Sequence, residues 1–134
     1  MKYALDTNTV IYLMRGTPSV QENRKKVRKS NSQLVIPPFV HYEVRRGLKI
    51  KPVPRHEAAY RVICDNCLSG AMTIQVWERA AEIYAELYSK RLTVSDSDII
   101  IAAFCLENGC TLVTNNTKDF ENISGLQITD WASE

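Results

Sequence analysis

The sequence has no long apolar run. No segment approaches the roughly 20 consecutive apolar residues that a bilayer span requires, and no apolar stretch with a cleavage site stands near the amino terminus, so a cytoplasmic protein with no membrane partner is expected. An excess of charge is lacking too: 17 Lys and Arg against 15 Asp and Glu leave a formal +2. That balance is too small to mark a nucleic-acid binder by itself, so partners must be read from where the charges lie. The four cysteines, Cys64, Cys67, Cys105 and Cys110, are expected to be free thiols in a reducing compartment, and the two histidines, His41 and His56, are isolated and not expected to be ligands. There is no internal repeat, linker or low-complexity segment. What remains is a chain of 134 residues, 45% hydrophobic and 24% charged, the size of one globular domain spanning residues 1–134.

Short apolar segments alternate with longer amphipathic ones. Strands are expected at Tyr3–Leu5, Gln33–Ile36, Thr111–Thr114 and Leu126–Ile128, with a further one between helices at Ala71–Ile74. Helices are expected over Thr9–Arg15, stopped by Gly16 and Pro18, and over the basic Val20–Lys29. Another is opened by Pro37 and Pro38 and runs through Leu48; three more cover His56–Leu68, Gln75–Arg91 and Ser95–Asn108, the last stopped by Gly109. This alternation predicts an α/β fold with a largely parallel central sheet of four to five strands flanked by helices.

In open α/β sheets, ligands bind beyond the carboxyl ends of the strands, where helix amino termini point in. Asp6, which ends the apolar run Y-A-L, takes such a position, as does the T-N-N-T-K-D-F stretch after Val113. Asp6 is read in two ways, as the cap of the next helix or as one wall of a site. Glu43 is more unusual: with Phe39, Val40, Val44, Gly47 and Leu48 it falls on one stripe of its helix, a carboxylate within an apolar face. Such a group needs a partner, either a core-edge arginine or a metal ion, and Gly47 removes side-chain bulk beside it. In T-V-S-D-S-D-I-I-I-A-A-F-C, Asp98 has the spacing of a capping box with Ser95, yet shares a face with Ile101, Ala102 and Cys105. Asp96 is less constrained. Three acids at one end of a sheet make a hard-oxygen site suited to Mg²⁺ or Mn²⁺ rather than Zn²⁺. Such ions polarise phosphoryl oxygens and generate a hydroxide nucleophile, which makes phosphodiester hydrolysis the natural reaction class.

The motifs L-D-T-N, H-Y-E-V-R-R-G-L, D-I-I-I-A-A and L-V-T-N-N-T-K-D-F followed by G-L-Q-I-T-D-W, in this order and spacing, resemble those of the PIN-domain ribonucleases, and more narrowly the VapC-type toxins of bacterial toxin-antitoxin pairs. The resemblance covers essentially the whole chain. It implies a PIN-like fold in which Asp6, Glu43 and Asp98 hold Mg²⁺ or Mn²⁺ and activate water for cleavage of RNA, a tRNA being a natural target. It also implies a homodimer and a cognate VapB-like antitoxin that inserts a segment over the acids. Many members carry a fourth acid after the strand that ends near Thr114; here Asn116 stands near that position and Asp119 follows three residues on, which leaves the number of ions open.

Thr7, Asn8 and Thr114 are candidates to orient carboxylates or water, or are ordinary cap and turn residues. Arg45, Arg46 and Lys49, beside Glu43, are candidates for RNA contacts, whereas N-R-K-K-V-R-K at residues 23–29 is read either as an RNA guide or as a solvated helix face. The C-x-x-C pair Cys64 and Cys67 has no matching second pair and is read as core thiols. Two other functions remain to be separated: a PIN-like module that binds RNA or protein without cleaving, and an aspartyl-nucleophile phosphatase suggested loosely by D-T-N-T-V.

Overall fold

The computed structural model describes residues 1–132. In chain order its elements are β1 (Lys2–Leu5), α1 (Thr7–Arg15), α2 (Pro18–Lys29), β2 (Gln33–Ile36), α3 (Pro38–Ile50), α4 (Pro54–Asp65), β3 (Leu68–Ser69), α5 (Ile74–Ser89), α6 (Asp96–Asn108), β4 (Cys110–Val113), α7 (Thr117–Phe120) and β5 (Ile128–Thr129). The strands lie in the order β3-β2-β1-β4-β5, and every pairing is parallel. Helices between successive strands provide the crossovers that parallel pairing needs. Ala4 and Leu5 of β1 and Leu112 and Val113 of β4 are completely buried, which is why these strands read as continuous apolar runs rather than alternating ones.

Prolines open α2, α3 and α4, where the missing N–H is no loss. Gly16 and Gly109 close α1 and α6 in left-handed conformation, with φ of 74° and 63°. The helix α6 is buried on most of its circumference, through Ile99, Ile101, Ala102, Ala103, Phe104 and Cys105, and α5 packs along it. The five-stranded α/β architecture is the one the sequence predicts.

Several boundaries differ. The helix expected to run to Leu68 ends at Asp65 because Asn66 and Cys67 turn back onto the carbonyls of Ile63 and Cys64. Leu68–Ser69 rather than Ala71–Ile74 then pairs with β2. Ile74 belongs instead to α5, since the Thr73 side chain accepts the Val76 N–H and caps that helix. The last strand is shifted from 126–128 to Ile128–Thr129 by its register with Leu112 and Val113. The short α7 has no counterpart among the expected helices; the fully buried Phe120 anchors it. The cysteines are free thiols, Cys105 and Cys110 buried and the C-x-x-C pair half-buried; burial pushes the Cys67 thiol up to about 11.

The chain builds β1, then β2 and β3 on one side, then crosses to β4 and β5 on the other. The order therefore reverses between β1 and β4, and the crevice outside their carboxyl ends is where a ligand site belongs in such a sheet.

Candidate active site

The residues immediately after β1 and β4 are Asp6 and Thr114, and both are buried. The Asp6 N–H donates to the Val113 carbonyl at 3.0 Å, continuing the β1–β4 ladder by one bond. Thr9 Oγ1 donates to the same carbonyl at 3.1 Å and fixes the first turn of α1 against β4. Asp6 is at once cap and wall: Oδ1 accepts the Thr7 N–H at 2.6 Å, and Oδ2 accepts the Thr114 hydroxyl at 2.6 Å. Both readings of Asp6 offered by the sequence therefore hold geometrically, one oxygen serving each.

Thr7 extends the arrangement to α3, because its Oγ1 donates to Glu43 Oε1 at 2.6 Å. Glu43 lies on the helix face that buries Val40, Val44 and Leu48, and only 17% of its side chain is exposed. Its other oxygen lies 3.6 Å from Arg46 Nη2, and the Arg46 guanidinium carbon sits 5.1 Å from the centre of the exposed Tyr42 ring. Asp98 enters on the first turn of α6, whose start is fixed by Ser95 Oγ accepting the Asp98 N–H at 3.3 Å. Asp119 comes from α7. Asn116 donates its N–H to Thr114 Oγ1 at 3.0 Å and its side-chain amide to Asp119 Oδ2.

Electrostatics tie the four carboxylates together. Burial raises the Asp6 carboxyl above its ordinary value; hydrogen bonds from Thr114 and Thr7 pull the other way, and the charges of Glu43 and Asp119 push it further up. Burial likewise raises Asp98, opposed by Ser95 and reinforced by Asp6, Asp119 and Glu43. The ionised forms are thus disfavoured by the protein itself and call for positive charge. The Cys105 thiol senses Asp6 but burial raises it well above its usual value, so it stays neutral. A donor set of carboxylates fits a hard divalent cation. As the side chains stand, no group of three His, Cys, Asp or Glu among the described residues is close enough to hold one ion. The charges of Glu43 and Asp119 act on Asp6, those of all three act on Asp98, and each Asp6 oxygen accepts one hydrogen bond and keeps a lone pair for a cation.

The other sequence-predicted residues separate into two sets. Thr7 and Thr114 contact the acids directly, whereas Asn8 and Asp96 are exposed. Arg45 turns away and pairs with Glu57 of α4 at 2.7 Å, so its charge is already matched. Lys49 is exposed on α3. Gly47 lines a groove of about 330 Å³ running from Glu43 between α1, α3 and α4, and a Cβ there meets nothing within 4 Å. Thr9 is a site residue that the sequence reading misses, although the second threonine of D-T-N-T is its signal.

A model of the PIN domain matches residues 3–126. The chain is 26% identical to Ribonuclease VapC2 of Rickettsia felis over 132 residues, covering 98% of each. It is 29% identical to the tRNA(fMet)-specific endonuclease VapC of Salmonella typhimurium over 135 residues, again covering 98% of each. Among solved structures, that of VapBC2 from Rickettsia felis bound to a promoter DNA fragment superposes with a TM-score of 0.90 at 26% identity, covering 98% of this chain and 99% of that one. DNA-bound VapBC from Salmonella typhimurium superposes with a TM-score of 0.87 at 28% identity, covering 98% of both chains.

Proposed function

Because the chain belongs to the PIN-domain family, we propose that it is the endoribonuclease toxin of a toxin-antitoxin pair, hydrolysing phosphodiester bonds of a structured RNA such as a tRNA. The observation that carries this reading is the convergence of four carboxylates from four separate elements on the crevice between β1 and β4. In it Asp6, Glu43 and Asp98 hold Mg²⁺ or Mn²⁺, and Asp119, rather than Asn116, supplies the fourth charge. A divalent cation bound there supplies Lewis acidity to the phosphodiester and lowers the pKa of a water molecule. Asp6 is held rigidly by Thr7 and Thr114, so it sets the position of the cluster. Thr7 positions Glu43 through its hydroxyl, and Arg46 lies where a phosphate oxygen can exchange for its long contact to Glu43.

The relatives carry names of RNA-cleaving enzymes, and the two solved neighbours are VapBC structures bound to DNA, which supports a VapB-like antitoxin as partner. The groove leading away from Glu43 has an apolar floor of Ile11, Met14, Val44 and Leu48 with Arg15 and Lys51 at its rim, and suits an amphipathic antitoxin segment. The helix α5 exposes Ile74, Trp77, Tyr84 and Tyr88 on a stripe beside its buried Val76, Ala80, Ile83 and Leu87. We assign that stripe to the contact between two copies of the chain, since exposed apolar patches mark interfaces.

The test uses purified, partner-free protein on total RNA with Mg²⁺, Mn²⁺ or EDTA, beside Asp98→Asn. Cation-dependent fragments lost in the folded variant are expected. RNA binding without cleavage under every divalent cation tried would instead identify a binding module.

A further inference from the structure

The cations of α2 do not lie near the carboxylates. The helix ends at Lys29, and Ser30–Ser32 lead directly into β2, whose first residue Gln33 pairs with Lys2 at the start of β1. Asp6 follows the other end of β1, so the two sites are separated by at least a strand length, about 13 Å for four residues. Lys25, Lys26, Arg28 and Lys29 are exposed, and none of them, nor Arg24, forms an ion pair among the described residues.

Arg24 and Arg28 stand one turn apart, a like-charge spacing that costs the helix stability unless an anion intervenes. Arg24 is half-buried, and its Nε is shielded from solvent without a hydrogen-bond acceptor. Burial and the neighbouring Arg28 both lower its pKa, against a smaller opposite effect of Cys67. Beside them lies a cavity of about 310 Å³ lined by Arg28, Ser32, Gln33, Asp65, Asn66 and Cys67, among others. Ser30 gives its one hydroxyl proton to the Val27 carbonyl at 2.8 Å, so Ser32 is the donor in the 3.0 Å contact between the two serines and its own oxygen is left to accept. Asp65 shares the cavity yet pairs with neither arginine.

We propose that the carboxyl-terminal half of α2 is a second RNA-binding site, in which Arg24 and Arg28 take backbone phosphate several nucleotides away from the scissile bond. The inference rests on the ribonuclease reading above. It commits to RNA because the carboxylate site of the same chain is read as acting on RNA, and to phosphate because planar guanidinium pairs match phosphate oxygens. A substrate must then be large enough to reach from the carboxyl ends of β1 and β4 to the amino end of β2, so this site favours folded RNA over short fragments.

The experiment measures binding by fluorescence anisotropy in EDTA, where no cleavage occurs, with labelled unfractionated tRNA and, for comparison, a DNA duplex of equal charge. Arg24→Gln/Arg28→Gln should weaken tRNA binding at least tenfold and make the dependence of log K on log salt shallower by about 1.4–1.8, at roughly 0.7–0.9 for each phosphate no longer neutralised. Arg28→Glu/Lys29→Glu alters only exposed side chains and should weaken tRNA in the same way, which keeps the test intact should the first variant misfold by circular dichroism. Unchanged tRNA affinity in that exposed-pair variant overturns the proposal. So does DNA bound as tightly as tRNA and weakened equally, which makes the surface one for duplex DNA. Since binding is read without cleavage, a protein that binds tRNA through α2 but never cuts RNA fails the nuclease reading alone.

Discussion

At the scale of single residues, Asp6 and Asp98 differ in what holds them. Thr114 spends its hydroxyl on Asp6 inside a site with no exposure of its own, so Thr114→Val leaves a buried carboxylate oxygen without its donor. Such a loss costs about 1–3 kcal/mol, readable as a lower melting temperature. It also removes an interaction that lowers the Asp6 pKa, so the acid limb of the pH-activity profile should move to higher pH. Asp98 allows the opposite test. Its carboxyl is raised in the folded protein, so between its unfolded and folded pKa values the native state binds more protons and stability falls as pH rises. Asp98→Asn removes that penalty: the variant should melt above wild type at pH 7, with the difference vanishing towards pH 3, and Mg²⁺ should raise the melting temperature of wild type only. Asp6 and Glu43 are legible in the sequence because each contradicts its surroundings, an acid ending an apolar strand and an acid within an apolar stripe. Asp119 is ambiguous there for the converse reason, a polar residue among polar neighbours, and only the fold of α7 brings its charge to the others.

At the scale of elements, legibility follows length. The longer helices carry periodicity and caps that declare them, such as the prolines opening α2, α3 and α4 and the glycines closing α1 and α6. The two-residue β3 and the four-residue α7 have too few positions to show a period, and tertiary pairing decides them. The position of β3 depends on the glycine at its carboxyl end: a Cβ at Gly70 would lie 2.7 Å from Cζ of the buried Phe104. Gly70→Ala must therefore push the ring of α6 aside. Overpacking of this kind costs about 1–3 kcal/mol, and a shift of the urea midpoint with an unchanged slope would report it. A variant as stable as wild type would mean that β3 and α6 can slide apart without loss.

At the scale of the whole molecule, a net charge of +2 conceals separation: carboxylates at the carboxyl ends of the central strands and unpaired cations on α2. The sequence shows both groups but not their distance, because α2 returns the chain to the amino end of the sheet before β2 begins. The aromatic stripe of α5 is equally illegible in one dimension, since Trp77, Tyr84 and Tyr88 carry no mark that distinguishes them from core residues. Trp77→Arg/Tyr84→Glu should convert a dimer to a monomer by sedimentation velocity with no loss of helical signal; a wild type already monomeric at high concentration would refute the assignment of that face. The double duty of Asp6 has a last consequence, in populations rather than molecules. Losing Asp6 removes a helix cap and the bond to Thr114 as well as a charge that opposed folding, whereas losing Asp98 removes a charge that opposed folding without taking away a cap. On the proposed toxin reading, among cells selected for escape, lesions at Asp98 should leave abundant, folded, inactive protein that still occupies an antitoxin, while lesions at Asp6 should leave less protein. The spectrum of escape alleles, scored by protein level, would display on a plate which carboxylate also serves the fold.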